Sequence, residues 1–251
     1  MSRRPAFPAR LPAAAPVSSA PPKSTRGAPA SAVPGGVGLD SQAVRVRMVQ
    51  RLAVQGIRDE RVLAAMGAVQ RDRFVDTALV NQAYQDTSLP IGFGQTISKP
   101  SVVARMIELL LGGAARRLGR VLEIGTGCGY QAAVLSTVAS EVYSIERLRN
   151  LHEKARENLR PFRLSNVHLL FGDGMAGYAR GAPYAGIIAA AGGHAVPQAW
   201  CEQLATGGRI VAPMLMADRR QALVVIEKTA TGLQQSVLEP VHFVPLKSGI
   251  A

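Results

Sequence analysis

The stretch Val121-Leu-Glu-Ile-Gly-Thr-Gly-Cys-Gly-Tyr130 decides the fold. Residues 120–124 are typical of a buried strand, and a helix is predicted to begin at Tyr130. Three glycines at alternate positions between them let the backbone turn tightly and approach a ligand closely. The start of the following helix then presents free backbone N–H groups. The stretch therefore predicts a strand, a glycine loop and a helix that together contact a small molecule.

Strands and helices alternate after this loop. Further strands are predicted at residues 141–145, 167–171, 186–190 and 209–212, with helices at 130–139, 148–160 and 197–204. The last two β-like segments, 222–228 and 236–244, are close in sequence, and we expect them to pair antiparallel. The alternation predicts an α/β protein with a Rossmann-like, mostly parallel, doubly wound sheet and an antiparallel C-terminal part.

The chain before the loop is mainly helical in pattern. A first helix is predicted from Asp40 or Ser41 to near Gly56, and a second over residues 59–66. Pro100 stands at the first position of a third helix, which ends at Gly112-Gly113. Residues 89–98 have too many glycines for a helix and no clean alternation for a strand, so we expect a loop there.

Composition limits the class of protein. The chain has 251 residues, of which 47% are hydrophobic, and this is enough for a large core. No apolar run approaches the roughly 18 residues that span a bilayer, so an integral membrane protein is excluded and no membrane partner is expected. Two cysteines, Cys128 and Cys201, cannot form a disulfide framework or a multi-cysteine metal site. We therefore expect no metal and a reducing compartment, the cytoplasm.

The N-terminal residues 1–39 differ from the rest. They contain half of the 16 prolines and five basic residues, and they have no acidic residue. Such a composition cannot bury enough surface to offset its ordering entropy, so a disordered basic tail is predicted. It has no apolar core of a secretory signal, whereas an organellar transit peptide stays an alternative to a solvated extension. Residues 40–251 are predicted to form one ordered domain.

Carboxylates near the strand ends indicate which ligand the loop contacts. Glu123 lies inside a strand that should be apolar, where an unpaired carboxylate is costly. Glu146 follows the next strand, where an acid can hydrogen-bond ribose hydroxyls, and Gly172-Asp173-Gly174 follows the third. The pattern favours a nucleoside that carries positive charge, and S-adenosylmethionine fits. The alternatives are an NAD site and a plain doubly wound fold with a tight turn.

From about Met48 onward, the chain resembles the protein-L-isoaspartate O-methyltransferases. Three motifs carry the resemblance: the glycine loop with Gln131, His242-Phe-Val-Pro-Leu246, and Leu89-Pro-Ile-Gly-Phe-Gly-Gln-Thr-Ile-Ser98 followed by Lys99-Pro100. The first is shared with many methyltransferases, but Gly-Gln-Thr-Ile-Ser-x-Pro is specific to this family. The resemblance implies a methyltransferase domain over residues 40–251, with a helical, substrate-side portion at 40–111 and a cofactor-binding core at 112–251.

The resemblance also implies the reaction. A methyl group passes from S-adenosylmethionine to the free α-carboxylate of L-isoaspartyl, and of D-aspartyl, residues in damaged proteins, which are the expected partners. The ester closes to a succinimide, and hydrolysis returns some normal aspartate. Because an α-carboxyl group has a pKa of about 3.3–3.7, it is an anionic nucleophile at neutral pH. No general base is required, and alignment of the reacting groups can carry the catalysis.

Site residues follow from the matching motifs. Ser98 is the expected catalytic-site residue, whose hydroxyl orients the substrate carboxylate, and Gln95 and Thr96 are expected to line the same site. Capping of the helix at Pro100 is the alternative role for Ser98 or Thr96. On the cofactor side, an acid binds the ribose, another binds the adenine amino group, and the loop amides surround the methionine part. The expected cofactor residues are Glu123, Gly125, Thr126, Gly127, Gly129, Tyr130, Glu146 (ribose), Asp173 (adenine) and Gly174.

The chain departs from the family pattern near both halves of the site. Lys99 replaces a glutamine and would favour an anionic substrate, and Ser101 replaces an aromatic residue or histidine. In the fourth strand, Ala185 replaces an aspartate and Ala189 a threonine, so an acid and a hydroxyl of the family pattern are lost near the strand end.

Two other functions stay open at this level. One is a methyltransferase of the same fold that acts on another carboxylate acceptor. The other is a nucleic-acid-associated protein that uses the basic tail and has a vestigial cofactor site. The presence of both Glu146 and Asp173 argues against a vestigial site, so a nucleic-acid partner is not expected. We expect the protein to be a monomer.

Overall fold

The computed structural model describes residues 41–114 and 116–251, so the predicted tail at 1–39 lies outside the described residues. In this part of the chain, no helix has the length and apolar character needed to cross a membrane. The helices are α1 (Ser41–Val54), α2 (Glu60–Ala68), α3 (Pro100–Leu111), α4 (Tyr130–Val138), α5 (Arg149–Leu159) and α6 (Gln198–Gln203). The strands are β1 (Leu89–Gly92), β2 (Gln95–Ile97), β3 (Leu118–Ile124), β4 (Ala139–Glu146), β5 (Val167–Phe171), β6 (Tyr184–Ala189), β7 (Leu204–Leu215), β8 (Gln221–Thr229) and β9 (Gly232–Val241).

Seven of these strands form one sheet in the order β5-β4-β3-β6-β7-β8-β9. The first five in this order are parallel, whereas β8 and β9 join antiparallel. The strand order reverses between β3 and β6, and ligands of open α/β sheets bind outside the carboxyl ends of strands at such a point. The predicted α/β fold class, including the antiparallel C-terminal pair, is confirmed.

Consecutive residues of β3 face two different hydrophobic cores. Val121 is fully buried in a core that includes residues of α1 to α5. Leu122, also fully buried, packs in a second core with Trp200 of α6. Parallel strands that are buried on both faces have continuous apolar sequences, which explains the strand signal at residues 120–124. The sheet is therefore covered on both faces, as the doubly wound prediction requires.

Helix α3 confirms the predicted start at Pro100 and the predicted end at Gly112. Proline suits the first helical position because its fixed φ is helical and its missing N–H needs no partner there. Gly112 ends the helix in the left-handed conformation, with φ of 54°. Residues such as Met106 and Ile107 form the buried face of α3, which packs against β6 and β7.

The prediction of a loop at residues 89–98 is wrong, because β1 and β2 form an antiparallel hairpin. Leu89, Ile91 and Ile97 are buried and alternate with exposed residues. The alternation covers too few residues on each strand to stand out in the sequence. The residues at the tip, 92–94, all have left-handed backbones, which lets the chain reverse within a few residues. The hairpin places Ser98, directly after β2, in the wall of the cavity described next.

Candidate active site

A cavity of about 440 Å³ opens where the parallel strands of the sheet end. Loops that follow β3, β4, β5 and β6 form its walls, together with the β1–β2 hairpin and residues 244–247. This volume is within the range of small-molecule sites. The predicted site residues that line it are Gln95, Thr96, Ser98, Gly125, Thr126, Gly127, Tyr130, Glu146 and Gly174. Residues predicted for the substrate and for the cofactor thus meet in one cavity.

Three predicted cofactor residues are not part of this wall. Glu123 is fully buried in β3, and Gly129 precedes α4 with a φ of 92°. The carboxylate of Asp173 accepts hydrogen bonds from the backbone amides of Met175 (2.9 Å) and Gly249 (2.6 Å). Direct contact of these three residues with the cofactor stays a prediction.

The glycine loop is held by hydrogen bonds within the protein. The amides of Gly125 and Thr126 donate to the carbonyl of Ile145 at 2.9 and 3.2 Å. The amide of Gly127 donates to Glu146 Oε2 at 2.9 Å. Gly125 and Gly127 have φ of 90° and 56°, a conformation that residues with a side chain rarely adopt. The glycines therefore give the loop its path, and these three amides donate within the protein. That the loop surrounds the methionine part of the cofactor stays a prediction.

Glu146 is held with both carboxylate oxygens oriented. It is the last residue of β4, where the sequence prediction had it just after the strand, and it is 5% exposed. Oε2 accepts the Gly127 amide, and Oε1 accepts the Leu148 amide at 3.0 Å. A carboxylate has about four acceptor positions, so about two are left. That number matches the two hydroxyls of a ribose.

Glu123 connects to the glycine loop through a chain of hydrogen bonds. Ser144 Oγ lies 2.5 Å from Glu123 Oε2 and 2.6 Å from Thr126 Oγ1. Burial raises the pKa of Glu123 to about 8, and the hydrogen bond from Ser144 offsets this in part. Glu123 is therefore protonated and neutral at pH 7. The cost expected for an unpaired charge in this strand is avoided because the group carries no charge. Oε2 is hydrogen-bonded to Ser144, whereas Oε1 is buried without a hydrogen-bond partner among the described residues.

The raised pKa predicts how Glu123→Gln changes stability with pH. The usual carboxyl pKa is 4.5, so between pH 4.5 and 8 the folded protein binds a proton that the unfolded chain does not. The stabilisation of the folded protein by this proton is fully present below pH 4.5 and is lost as the pH rises through 8. Glutamine is neutral at every pH and resembles the protonated form. We therefore expect the difference in Tm, variant minus wild type, to increase as pH rises from about 5 to about 9.

Thermal unfolding at several pH values measures this difference. Glu153→Gln, on the exposed side of α5, is the matched control and should follow the wild-type curve. Parallel curves for Glu123→Gln and the wild type would contradict a protonated Glu123.

Two reactive groups in the cavity wall are kept neutral. Burial raises the pKa of the Cys128 thiol, which argues against a nucleophilic thiolate and agrees with a space-filling role. Burial also raises the pKa of Tyr130 to about 12. The Tyr130 hydroxyl contacts Met66 Sδ at 3.7 Å, and the Arg71 guanidinium lies 4.9 Å from the centre of its ring. The cavity thus offers neither group as a base near neutral pH.

Ser98 presents a free hydroxyl to the cavity. It is half-buried and lines the wall, and it makes no hydrogen bond with any residue that the structure describes. The N-cap of α3 is Lys99, whose side chain makes no capping hydrogen bond, and the Asp86 carboxylate accepts the Ser101 amide at this helix end at 2.9 Å. The alternative in which Ser98 or Thr96 caps α3 is therefore wrong. The hydroxyl of Ser98 is available to a ligand.

The departures from the family pattern lie mostly outside the cavity wall. Lys99 is exposed and lies outside it, whereas the described cations that line the cavity are Arg147 and Lys247. Arg147 Nε donates to the carbonyl of Gly249 at 2.9 Å. Ala185 lies at the amino end of β6, whereas the cavity lies at the carboxyl end. Replacement of an acid at this position therefore does not remove a group from the cavity.

Ser144 and the contact of residues 244–247 with the cavity were not predicted from the sequence. Ser144 pairs in register with Glu123 on the neighbouring strand, so a second polar residue in an apolar strand was the available signal. Residues 244–247 reach the cavity through backbone hydrogen bonds. The Gly192 amide donates to the carbonyl of Val244, and the Leu246 amide donates to the carbonyl of Gly192, both at 2.8 Å. This contact links distant parts of the chain, and the local sequence carries no signal for it.

The sheet order, the glycine loop and the oriented acid at the end of β4 define a Rossmann-like protein with a nucleoside site at the carboxyl ends of its parallel strands. Within the described residues, no group of three or more His, Cys, Asp or Glu is placed to hold a metal ion. Comparison with known proteins gives the family. The model of the protein-L-isoaspartate (D-aspartate) O-methyltransferases matches residues 43–251, and the chain belongs to this family.

Individual relatives agree with this assignment. A protein-L-isoaspartate O-methyltransferase of Methylibium petroleiphilum is 63% identical over 221 residues, which are 86% of this chain and 81% of the relative. A solved protein-L-isoaspartate O-methyltransferase is 30% identical with a TM-score of 0.74, over 82% of this chain and 67% of the other. A Plasmodium falciparum structure of the same description, in complex with S-adenosyl-L-homocysteine, is 23% identical with a TM-score of 0.70. The match covers 81% of this chain and 98% of the other.

The predicted family, reaction and cofactor are thereby confirmed. The chain is an enzyme that uses S-adenosylmethionine to methylate isoaspartyl residues and so begins their repair. Family membership also favours this acceptor over another carboxylate.

Proposed function

We propose that the enzyme carries out this methylation in the 440 Å³ cavity, on L-isoaspartyl and also on D-aspartyl residues. Ser98 orients the α-carboxylate of the substrate, and Glu146 binds the ribose of the cofactor. The observation that carries this assignment is that the free hydroxyl of Ser98 and the oriented carboxylate of Glu146 line the same cavity.

S-adenosylmethionine, when bound, supplies a methyl group that its sulfonium makes electrophilic. The residues of this chain bind and orient the substrate, because the carboxylate is already ionised at neutral pH. A hydrogen bond from Ser98 to one carboxylate oxygen fixes the direction of the other oxygen. The protonated thiol of Cys128 and hydroxyl of Tyr130 do not compete with the substrate as nucleophiles. Holding reactants in such an alignment lowers the barrier without proton transfer.

The remaining assignments follow from where each group lies. Asp173 is not part of the cavity wall but directly precedes Gly174, which is. Its carboxylate keeps acceptor positions beyond the amides of Met175 and Gly249, and we assign the adenine amino group to it. Gln95 and Thr96, on β2, contact the peptide substrate, and Gly174 and Tyr130 contact the cofactor.

Two buried residues act on the cofactor through the loop. Glu123 fixes Thr126 through Ser144. Gly129 lets α4 begin close to α5, since a Cβ at this position would lie 2.9 Å from Leu159 Cδ1.

We propose further that residues 40–251 form a methyltransferase domain that acts as a monomer in the cytoplasm, without a nucleic-acid partner. The family match over residues 43–251 supports the domain, and the free thiols of Cys128 and Cys201 support a reducing compartment. Size-exclusion chromatography with light scattering tests the monomer. Steeply salt-dependent DNA binding, lost on removal of residues 1–39, would contradict the absence of a nucleic-acid partner.

The direct test is transfer of a radiolabelled methyl group from S-adenosylmethionine to an isoaspartyl peptide. The same peptide with ordinary aspartate is the control. Base-labile label on the isoaspartyl peptide alone is the expected result. Binding of S-adenosylmethionine without transfer to this peptide would leave the cofactor assignment intact and contradict the assigned acceptor.

A further inference from the structure

The tip of the β1–β2 hairpin has an unusual backbone. Gly92, Phe93 and Gly94 have φ of 94°, 55° and 67°, so three consecutive residues are left-handed. Left-handed backbone is unfavourable for residues with a Cβ, and it is a clear outlier for bulky side chains. Glycine or asparagine at position 93 would adopt it more easily. The local backbone therefore does not explain a phenylalanine here.

Packing within the protein does not explain Phe93 either. Its side chain is 58% exposed, in contrast to the buried Leu89, Ile91 and Ile97 of the same hairpin. The neighbouring Gly92 has open space around it, with no heavy atom within 4 Å of the position that a Cβ would take. A strained residue that adds little to the core is a reason to look for a function.

The hairpin is anchored at its base and free at its tip. Lys154 Nζ on α5 donates to the carbonyl of Ile91 at 2.9 Å. The Ile91 side chain lies against the glycine loop, where Cδ1 would be 3.2 Å from a Cβ at Gly127. Phe93 lies beyond this anchor, at the tip, and lines the same cavity as Ser98. Its exposed ring is therefore open to contact with a peptide that binds at Ser98.

We propose that Phe93 is a specificity-determining residue that packs against the side chain next to the isoaspartyl residue and favours an apolar neighbour. The proposal rests on the assignment of Ser98 to the substrate carboxylate. Docking of an apolar side chain would remove the ring of Phe93 from water, which is favourable in proportion to the apolar area buried. A glycine neighbour would offer no such contact.

The test compares two isoaspartyl peptides that differ only in the flanking residues, leucine in one and glycine in the other. For the wild type, we expect a KM about 10-fold lower for the leucine peptide. Phe93→Asn should remove this difference and keep kcat at saturating peptide. Its Tm should be equal or higher, because asparagine accepts the left-handed backbone. Phe93→Leu, which keeps an apolar side chain, should retain most of the discrimination.

Arg219→Asn is the matched control. Arg219 also has a left-handed backbone, with φ of 64°, but it lies in the turn between β7 and β8, outside the cavity wall. This variant should change Tm in the same direction and leave both peptide KM values unchanged. The comparison separates relief of backbone strain from loss of the contact with substrate.

Several results would overturn the role of Phe93. One is equal KM values for the two peptides in the wild type, and another is an equal rise for both in Phe93→Asn. A change in the KM for S-adenosylmethionine with constant peptide KM values would mean that the ring covers the cofactor instead. If the wild type methylates neither peptide, the proposed function itself fails, which is a different outcome from these three.

Discussion

Replacing Glu146 by alanine is expected to raise the Kd for S-adenosylmethionine at least about 100-fold, because hydrogen bonds to a charged group contribute about 1.5–3 kcal/mol each and two ribose hydroxyls lose theirs. The change also frees the amides of Gly127 and Leu148, which Glu146 now orients. Isothermal titration calorimetry with S-adenosylmethionine and S-adenosylhomocysteine measures the effect. The Kd values of both ligands should rise by a similar factor, since the two ligands share the ribose.

Two controls separate the ribose contact from damage to the loop. Glu153→Ala removes a carboxylate from the exposed side of α5 and should leave the Kd unchanged. A cofactor analogue without the ribose 2′-hydroxyl should bind more weakly to the wild type than S-adenosylmethionine does, and Glu146→Ala should not distinguish the two ligands. If the variant still discriminates between them as the wild type does, Glu146 does not bind the ribose.

Replacing Ser98 by alanine is expected to lower kcat about 10- to 100-fold without changing the Kd for S-adenosylmethionine. The reason is that Ser98 provides a hydrogen bond to an ionised carboxylate, and the loss of such a bond costs about 1.5–3 kcal/mol. The hydroxyl has no partner among the described residues, so its removal should leave the fold intact. Methyl transfer to the isoaspartyl peptide under saturating conditions measures kcat.

Ser101→Ala is the matched control for this change. Ser101 is also half-buried, lies one residue inside α3, and contacts Asp86 through its backbone amide, which alanine keeps. Its kcat should equal that of the wild type. An unchanged kcat in Ser98→Ala would contradict the role of this serine in orienting the substrate. A raised Kd for S-adenosylmethionine would mean that Ser98 binds the cofactor instead.

The sequence predicted the sheet because parallel, doubly covered strands leave an apolar signature. Val121 and Leu122 are buried on opposite faces of the sheet. Residues 121–124 are therefore apolar except for Glu123. That exception, Glu123, was recognisable as costly, but its neutral state depends on burial and on Ser144 of the next strand. Burial and cross-strand contacts come from the assembled sheet, and a local pattern does not contain them.

The site was predictable where a short motif contains the whole geometry and unpredictable where distant segments meet. Gln95, Thr96 and Ser98 reach the cavity together because the hairpin places them there. The hairpin itself was missed, since left-handed residues at its tip and short strands hide the alternation. The contact between Asp173 and Gly249 joins residues far apart in sequence and follows only from the folded chain.

The internal hydrogen bonds of the glycine loop have a consequence for how fast and how tightly the cofactor binds. The amides of Gly125, Thr126 and Gly127 already have acceptors in the protein, so the loop is preorganised and need not be ordered by its ligand. The conformational entropy of this segment is lost once, during folding, and it does not recur as a cost at each turnover. Release of S-adenosylhomocysteine therefore leaves a receptor that is ready for the next molecule of cofactor.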